Sequence, residues 1–338
     1  MKERIATAIA TPNIAFVKYW GNRDERLILP AGGSISMTLD RTFTTTTTVW
    51  FSDSLSADEI WLNGKKVGPQ EAKRIVEHLD LMRRAGQCRL RAKVVSRNNF
   101  PTAAGLASSA SGFAALTLAC AKALGVRRSM TELSALARRG SGSACRSLFG
   151  GFVEWVRGER KDGSDSIAQQ IAPASHWPGL VDIVAIASEG RKHISSRDAM
   201  RRTVETSRLF KQRMQMHPGM LKQVRNAIMQ KNAELLFDSI MRESNSMHAV
   251  MKDSRPPIIY MSEVSRRIVD AVRAFNADAG GMKCGYTFDA GPNAHVITTR
   301  KNEAAVRRML ARVKGVKRVV SAGVGKGPAY AAKHLFKI

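Results

Sequence analysis

N-N-F-P-T-A-A-G-L-A-S-S-A-S-G, residues 98 to 112, reads as a tight loop running into a helix. Pro101 and Gly105 punctuate the loop, and the small residues from Ala103 to Gly112 let backbone come close to a ligand or a neighbouring segment. Phe113 to Leu124 follows, an apolar run interrupted only by Thr117 and Lys122, and predicts a helix from about Ala107. Upstream, Cys88, Leu90, Ala92 and Val94 alternate with Arg89, Arg91 and Lys93, which predicts a strand over Cys88 to Val95. Strand, loop and helix together turn free N–H groups and the positive end of the helix dipole toward the loop, a ready anion site. Ser108, Ser109 and Ser111 add hydroxyls suited to phosphate oxygens or to a Mg²⁺ held by phosphates. The same serines could serve only as helix caps, with small residues chosen for close packing.

Working outward, Ile5 to Ala10 reads as a strand leading into T-P-N-I-A-F-V-K-Y-W-G-N-R-D, residues 11 to 24. Ser34 to Asp40 and the Thr-rich Thr42 to Phe51 have strand character, Asn63-Gly64 marks a turn, and Gln70 to Ala85 is helical. Ser129 with Glu132 three residues on is a capping box opening a helix to Arg139. A second glycine- and serine-rich loop, R-R-G-S-G-S-A-C-R-S-L-F-G-G at 138 to 151, precedes a strand at Gly150 to Val156. Residues 158 to 178 read as a polar excursion, so the expected domains are 1–178 and 179–338. The second half offers a strand at Leu180 to Ala187, amphipathic helices from Ala199 to Glu243 and from Ser262 to Phe275, and strands around the G-P-N turn at 291 to 293. A helix at Glu303 to Val313 and a strand near Arg318 to Ser321 complete an α+β pattern.

The chain has 338 residues and 44% hydrophobic residues, enough for two cored domains and too many for a disordered protein. The first residues lack the apolar core of a signal peptide, and no stretch reaches the roughly 18 apolar residues of a membrane span. Cys88, Cys120, Cys145 and Cys284 form no C-x-x-C pair and read as reduced thiols of a cytoplasmic protein. Lys and Arg number 54 against 28 acidic residues, a net of +26 that attracts polyanions. The basic residues form no long run and aromatics are only 6%, so specific nucleic-acid binding is not the expected function.

Polar clusters stand at 13 to 24, 101 to 111, 141 to 146 and 192 to 197, with Asp289 and Asn293 at a strand–turn. Two Gly-Ser loops offer N–H groups to phosphates, Lys18, Arg146, Lys192 and Arg197 offer charge, and Asp289 offers a base at an apolar strand end. That set suits phosphoryl transfer, where positioning and charge neutralisation dominate. Each has a plainer alternative: surface charge for Lys18 and Arg23, a turn acid at Asp289, a loop salt bridge at Arg146, and caps at Ser195 and Ser196. The His residues show no metal-ligand spacing.

Taken in order, N-I-A with K-Y-W-G at 13 to 21, N-N-F-P-T-A-A-G-L-A-S-S-A at 98 to 110, G-S-G-S-A-C-R-S at 140 to 147 and Y-T-F-D-A-G-P-N at 286 to 293 resemble the diphosphomevalonate decarboxylase family of the GHMP kinase superfamily. The resemblance implies an α+β fold with an N-terminal domain like ribosomal protein S5 domain 2 and a ferredoxin-like C-terminal domain. It implies ATP-dependent decarboxylation of mevalonate 5-diphosphate, with ATP and Mg²⁺ required, in a cytoplasmic homodimer. By the same resemblance Asp289, Arg146, Lys18 and Asn13 are catalytic. Tyr19, Ser141, Gly142, Ser143, Arg146, Lys192, Ser196 and Arg197 hold the substrate. Pro101, Ala104, Gly105, Leu106, Ala107, Ser108, Ser109 and Ser111 hold ATP, with Ser108 or Ser109 on the metal. Residues 54 to 66 and 88 to 100 are adenine candidates by family position. Asn22 departs from the family pattern, which has Lys there, and removes a charge that Arg191 and Lys192 could supply. A mevalonate 5-phosphate decarboxylase is therefore a variant reading; a mevalonate 3-kinase and a basic nucleic-acid-binding protein are others.

Overall fold

The computed structural model describes residues 4–100, 108–188 and 193–337. The chain opens with β1 (Ile5–Ala10), β2 (Asn13–Val17), β3 (Asn22–Asp24), β4 (Leu29–Pro30), β5 (Ser34–Thr38), β6 (Thr45–Ser52), β7 (Glu59–Leu62) and β8 (Lys65–Lys66). Next come α1 (Pro69–Ala85), β9 (Arg91–Asn98), α2 (Ser108–Leu124), α3 (Met130–Gly140), a 3-10 helix (Gly142–Leu148), β10 (Phe152–Trp155) and β11 (Ala168–Ala172). The second half runs β12 (Leu180–Ile186), α4 (Ser196–Thr206), α5 (Leu209–Met229), α6 (Ala233–Lys252), α7 (Glu263–Asp278), β13 (Cys284–Phe288), β14 (Ala294–Thr299), α8 (Arg300–Ala311), β15 (Arg318–Gly323) and β16 (Ala329–Ala331).

Three sheets carry the fold. The first has the order β16-β1-β6-β9-β7-β8, the second β11-β10-β5-β2 and the third β13-β14-β12-β15. In the first, Thr47 of β6 sits opposite Ala8 of β1 and Ser96 of β9. Helix α2 lies on β1 and β6, and every residue from Phe113 to Ala121 is buried. A helix apolar on all faces has no solvent side to present, so it becomes the centre of its layer. The second and third sheets meet at one shared core: Ile14, Phe16, Ile35, Met37 and Phe152 face Leu180, Val184 and Ile297, with Val224, Ile228 and Phe237 of α5 and α6. Each of these large side chains contributes about 1.5–3 kcal/mol by burial. That joint core fixes how residues from both halves converge. Among the described residues no helix is long and apolar enough to cross a membrane.

Several elements differ from the sequence expectation. β9 starts at Arg91, not Cys88. The chain leaves α1 through Gly86 and through Gln87 at φ 49°, and Asp58 accepts the Ala92 N–H, so pairing begins only after that bend. The second Gly-Ser loop winds into the 3-10 helix. Residues 158 to 178 contain β11, which pairs with β10. Last, β16 returns from the second half to pair with β1, covering an otherwise open sheet edge. The Asn63-Gly64 turn is borne out, with both residues at positive φ between β7 and β8. So is the capping box, in which Ser129 and Glu132 bond reciprocally at the start of α3.

Candidate active site

Lys18 stands at the exit of β2 and Asp289 just past β13, so one comes from each half. The Lys18 ammonium donates to Asp289 Oδ1 at 2.7 Å; Lys18 is 2% exposed, and the carboxylate is 29% exposed. The backbone N–H of Lys18 donates to Glu243 Oε1 at 2.9 Å, and Glu243 is in turn ion-paired with buried Arg213. Helices α5 and α6 thereby pin the main chain that carries Lys18. His248 of α6 lies behind the pair; burial first, then the charge of Lys18, pushes its pKa down to about 4, so it is neutral near pH 7. Gly21 follows at φ +100°, and a Cβ there would stand 2.7 Å from Val204 and 2.8 Å from Phe210. Only glycine lets this segment pass against α4 and α5.

Arg146 comes from the 3-10 helix and is 2% exposed. Its Nε donates to Ser36 Oγ at 3.0 Å and to Asn13 Oδ1 at 3.2 Å, and a terminal nitrogen donates to Ser34 Oγ at 2.5 Å. Asn13 is itself oriented by donating to Ser147 Oγ at 2.8 Å and to the Ser143 carbonyl at 3.1 Å. Among the described residues no carboxylate pairs with Arg146. Burial accordingly lowers its pKa. A buried cation held only by neutral oxygens calls for an anion from outside.

Both groups open into one cavity of ≈ 420 Å³, which brings together Asn13, Lys18, Tyr19, Ser109, Ser141, Gly142, Ser143, Arg146, Ser196, Arg197 and Asp289. Gly142 lies under two rings: an added Cβ would meet Tyr19 at 2.6 Å and Trp155 at 2.9 Å. The Tyr19 phenol donates to Asn22 Oδ1 at 2.5 Å, and burial raises its pKa. Ser195 caps α4, as its position suggested, leaving Ser196 and Arg197 on the first turn facing the cavity. Arg74 of α1, which the sequence reading missed, also lines this cavity. It donates to the Gly140 carbonyl at 2.7 Å, lies 5.2 Å over the Phe113 ring, and has a pKa lowered by burial and then by Arg197.

A second cavity of ≈ 180 Å³ lies between β6, β9 and the start of α2. Leu62, Asn63, Val94, Ser96 and Asn98 line it, all within the stretches proposed for adenine, with Ile75, Phe113 and Leu116 giving it an apolar wall. Ser109 lines both cavities, and its hydroxyl lies 3.3 Å from that of Ser141. Both cavities therefore reach the first turn of α2, where a phosphate is favoured. Ser108 lines the second cavity, whereas Ser111 turns inward to bond Thr45 at 2.7 Å and lines neither. Pro101, Ala104, Gly105, Leu106, Ala107, Arg191 and Lys192 lie outside the described residues. Among those described, no three His, Cys, Asp or Glu side chains form a metal cage. The hydroxyls of Ser108 and Ser109 instead fit a Mg²⁺ that keeps phosphate and water ligands.

Fold and site define an α+β enzyme with a cation-lined pocket between its two halves and a smaller, partly apolar cavity beside it at the start of α2. Residues 10–168 match the diphosphomevalonate decarboxylase-like N-terminal domain and residues 182–323 the mevalonate 5-diphosphate decarboxylase C-terminal domain. The diphosphomevalonate decarboxylase of Bos taurus is 46% identical over 309 residues, covering 87% of this chain and 76% of its own. A solved complex, MDDEF with MVAPP, AMPPCP and magnesium, is 41% identical with TM-score 0.89, covering 97% of this chain and 98% of its own. The mevalonate diphosphate decarboxylase structure from Staphylococcus aureus is 35% identical with TM-score 0.91, over 97% and 98%. This chain belongs to the diphosphomevalonate decarboxylase family and has its GHMP kinase fold.

Proposed function

We propose that the chain catalyses the ATP-dependent decarboxylation of mevalonate 5-diphosphate to isopentenyl diphosphate, with ADP, phosphate and CO₂ as the other products, in the mevalonate route to isoprenoids. The observation that carries this reading is one cavity holding a buried Lys18 paired with a half-buried Asp289 and a buried Arg146 with no carboxylate of its own among the described residues. Arg146, aligned by Asn13, Ser34 and Ser36, holds the substrate carboxylate. Asp289 accepts the proton of the tertiary 3-hydroxyl as that oxygen attacks the γ-phosphorus. Lys18 keeps Asp289 aimed and offsets charge on the transferring group. Mg²⁺, with Ser108 or Ser109 among its partners, neutralises charge on the nucleotide phosphates. When the new phosphate ester leaves with its electron pair, the carboxylate C–C bond supplies the replacement pair and CO₂ departs. Ser141, Gly142, Ser143, Tyr19, Ser196, Arg197 and Lys192 bind the ester end. Burial of Arg146 and Lys18 keeps water from an electron-deficient carbon.

We also place the enzyme in the cytoplasm, which its four free, buried cysteines support, and read it as a homodimer of two-domain chains divided near residue 178. Incubation with ATP, Mg²⁺ and mevalonate 5-diphosphate tests the function. Equal amounts of ADP and CO₂ are expected; ADP without CO₂ identifies a 3-kinase instead, and neither product rejects the reading.

A further inference from the structure

We propose that helix α6 sets the distance between Lys18 and Asp289, with Glu243 and Ser244 as positioning residues for the proton transfer. The proposal rests on the function above. Lys18 and Asp289 lie 271 residues apart, one in each half of the chain, so their 2.7 Å contact depends on how the two segments are held. Helix α6 holds both. Glu243 Oε1 accepts the backbone N–H of Lys18 at 2.9 Å. Ser244 Oγ accepts the backbone N–H of Phe288, the residue before Asp289, at 3.0 Å. Neighbouring residues of a helix keep fixed places relative to each other, so the two bonds tie both segments to one rigid rod. His248, one turn further along, also hydrogen-bonds the backbone of Phe288, and its ring stands edge-on to the Phe288 ring with centroids 6.2 Å apart.

The sheet topology explains why a helix is needed there. β2, which leads into Lys18, is an edge strand of the second sheet, and β13, which leads into Asp289, is an edge strand of the third. Outward N–H groups of an edge strand take partners from outside the sheet. α6 packs against both edges, and its buried Glu243 and Ser244 supply those partners.

Glu243 also carries a charge, and a lone buried carboxylate beside the Lys18 backbone would draw the ammonium away from Asp289. Buried Arg213 of α5 engages both Glu243 oxygens and is itself fixed on Ser246 Oγ at 2.8 Å. With its charge matched by Arg213, Glu243 acts toward Lys18 as a hydrogen-bond acceptor and leaves Asp289 as the counter-ion of the ammonium.

The test separates the acceptor from the ion pair. Arg213→Gln with Glu243→Gln removes both charges and keeps an acceptor oxygen for the Lys18 N–H. Arg213→Met with Glu243→Met removes both charges and the acceptor. Neither double variant leaves a buried charge unpaired. ATP-dependent CO₂ release from mevalonate 5-diphosphate is measured beside the wild-type chain, below the onset of each melting curve. The Gln variant is expected to keep kcat within about threefold of wild type, and the Met variant to lose at least about tenfold in kcat with KM for both substrates within about twofold. A merely structural role would lower the melting temperature without this split, and equal kcat in the two folded variants overturns the inference. Ser244→Ala reads the Asp289 side independently and serves where the Met variant does not fold. Its kcat is expected to fall at least about fivefold at unchanged KM, and a wild-type kcat overturns the inference. Arg83→Gln breaks an equally buried pair with Asp58 and lines neither cavity. It is expected to lower the melting temperature and leave kcat unchanged; a fall in kcat like that of the Met variant would mean that any lost buried contact slows the enzyme, and would overturn the inference. Silence of the wild-type chain rejects the proposed function instead.

Discussion

Arg146 and Lys18 are equally buried cations with opposite arrangements. Lys18 has its counter-ion within the chain, at 2.7 Å, whereas Arg146 has three neutral oxygens. An unpaired buried charge weakens the free protein and strengthens a complex that supplies the anion. Arg146→Gln is therefore expected to leave the unliganded melting temperature equal or higher while lowering kcat/KM by about 30-fold or more, the scale of about 2–5 kcal/mol for truncating a buried charge pair. Melting curves with and without substrate, beside turnover, check both halves. Asp289→Asn is expected to abolish product while leaving nucleotide affinity nearly unchanged, because Asp289 does not line the smaller cavity we propose for the nucleotide. Nucleotide titration and CO₂ release measure this, and normal turnover would take Asp289 out of the proton transfer. Of this site, Lys18, Arg146 and Asp289 were legible as residue types with a chemical use. Local pattern could not pair them with their partners, and nothing pointed to Ser34 and Ser36 beside Arg146, because those contacts span 271, 133, 112 and 110 residues of chain.

At the scale of elements, local signals held where the deciding contacts are local. The α3 capping box joins residues three apart, with Glu132 accepting from the Ser129 N–H at 2.9 Å. Ser129→Ala is expected to destabilise the chain by about 1 kcal/mol, read from urea unfolding, with turnover unaffected since Ser129 lines neither cavity. Local signals failed where a tertiary neighbour decides. β9 has its alternating pattern, yet starts three residues late because Asp58 holds the turn before it. Arg74 was invisible for a similar reason. Lys73, Arg74 and Glu77 look alike on an amphipathic helix, and only the packing of α1 beside α3 turns Arg74 into the pocket.

The whole molecule sets a pH limit. His78 is held at about 3 by burial and then by Arg139 and Arg74, and His248 at about 4 by burial and then by Lys18. In the unfolded chain such imidazoles titrate near about 6.5. Between the folded and unfolded values the unfolded chain binds more protons, so stability falls as pH falls. The loss begins below about 6.5 and is complete below about 4 for His248 and about 3 for His78. The melting temperature is expected to be flat from about pH 8 to 7 and to drop steadily from about 6.5 to 4, with His248→Gln flattening part of that slope. A flat wild-type profile would mean that both rings accept protons inside the fold. The same scale explains β16, whose pairing with β1 brings residues some 320 positions apart into one sheet.

By itself, the sequence determined the α+β pattern, the buried α2 helix, the turn at Asn63-Gly64, and the order of motifs that marks the family. Periodicity, caps and turn chemistry act over a few residues, so they survive without tertiary context. The tertiary structure alone decided that Asn13, Lys18, Arg146 and Asp289 face one cavity, that Ser109 lines both it and the smaller cavity beside α2, and that Ser111 packs away from both. It also decided that Arg74 serves the pocket while Asn22 is spent on Tyr19. These outcomes depend on how two sheets and their helices meet across the shared core, and no local property of the chain encodes that meeting.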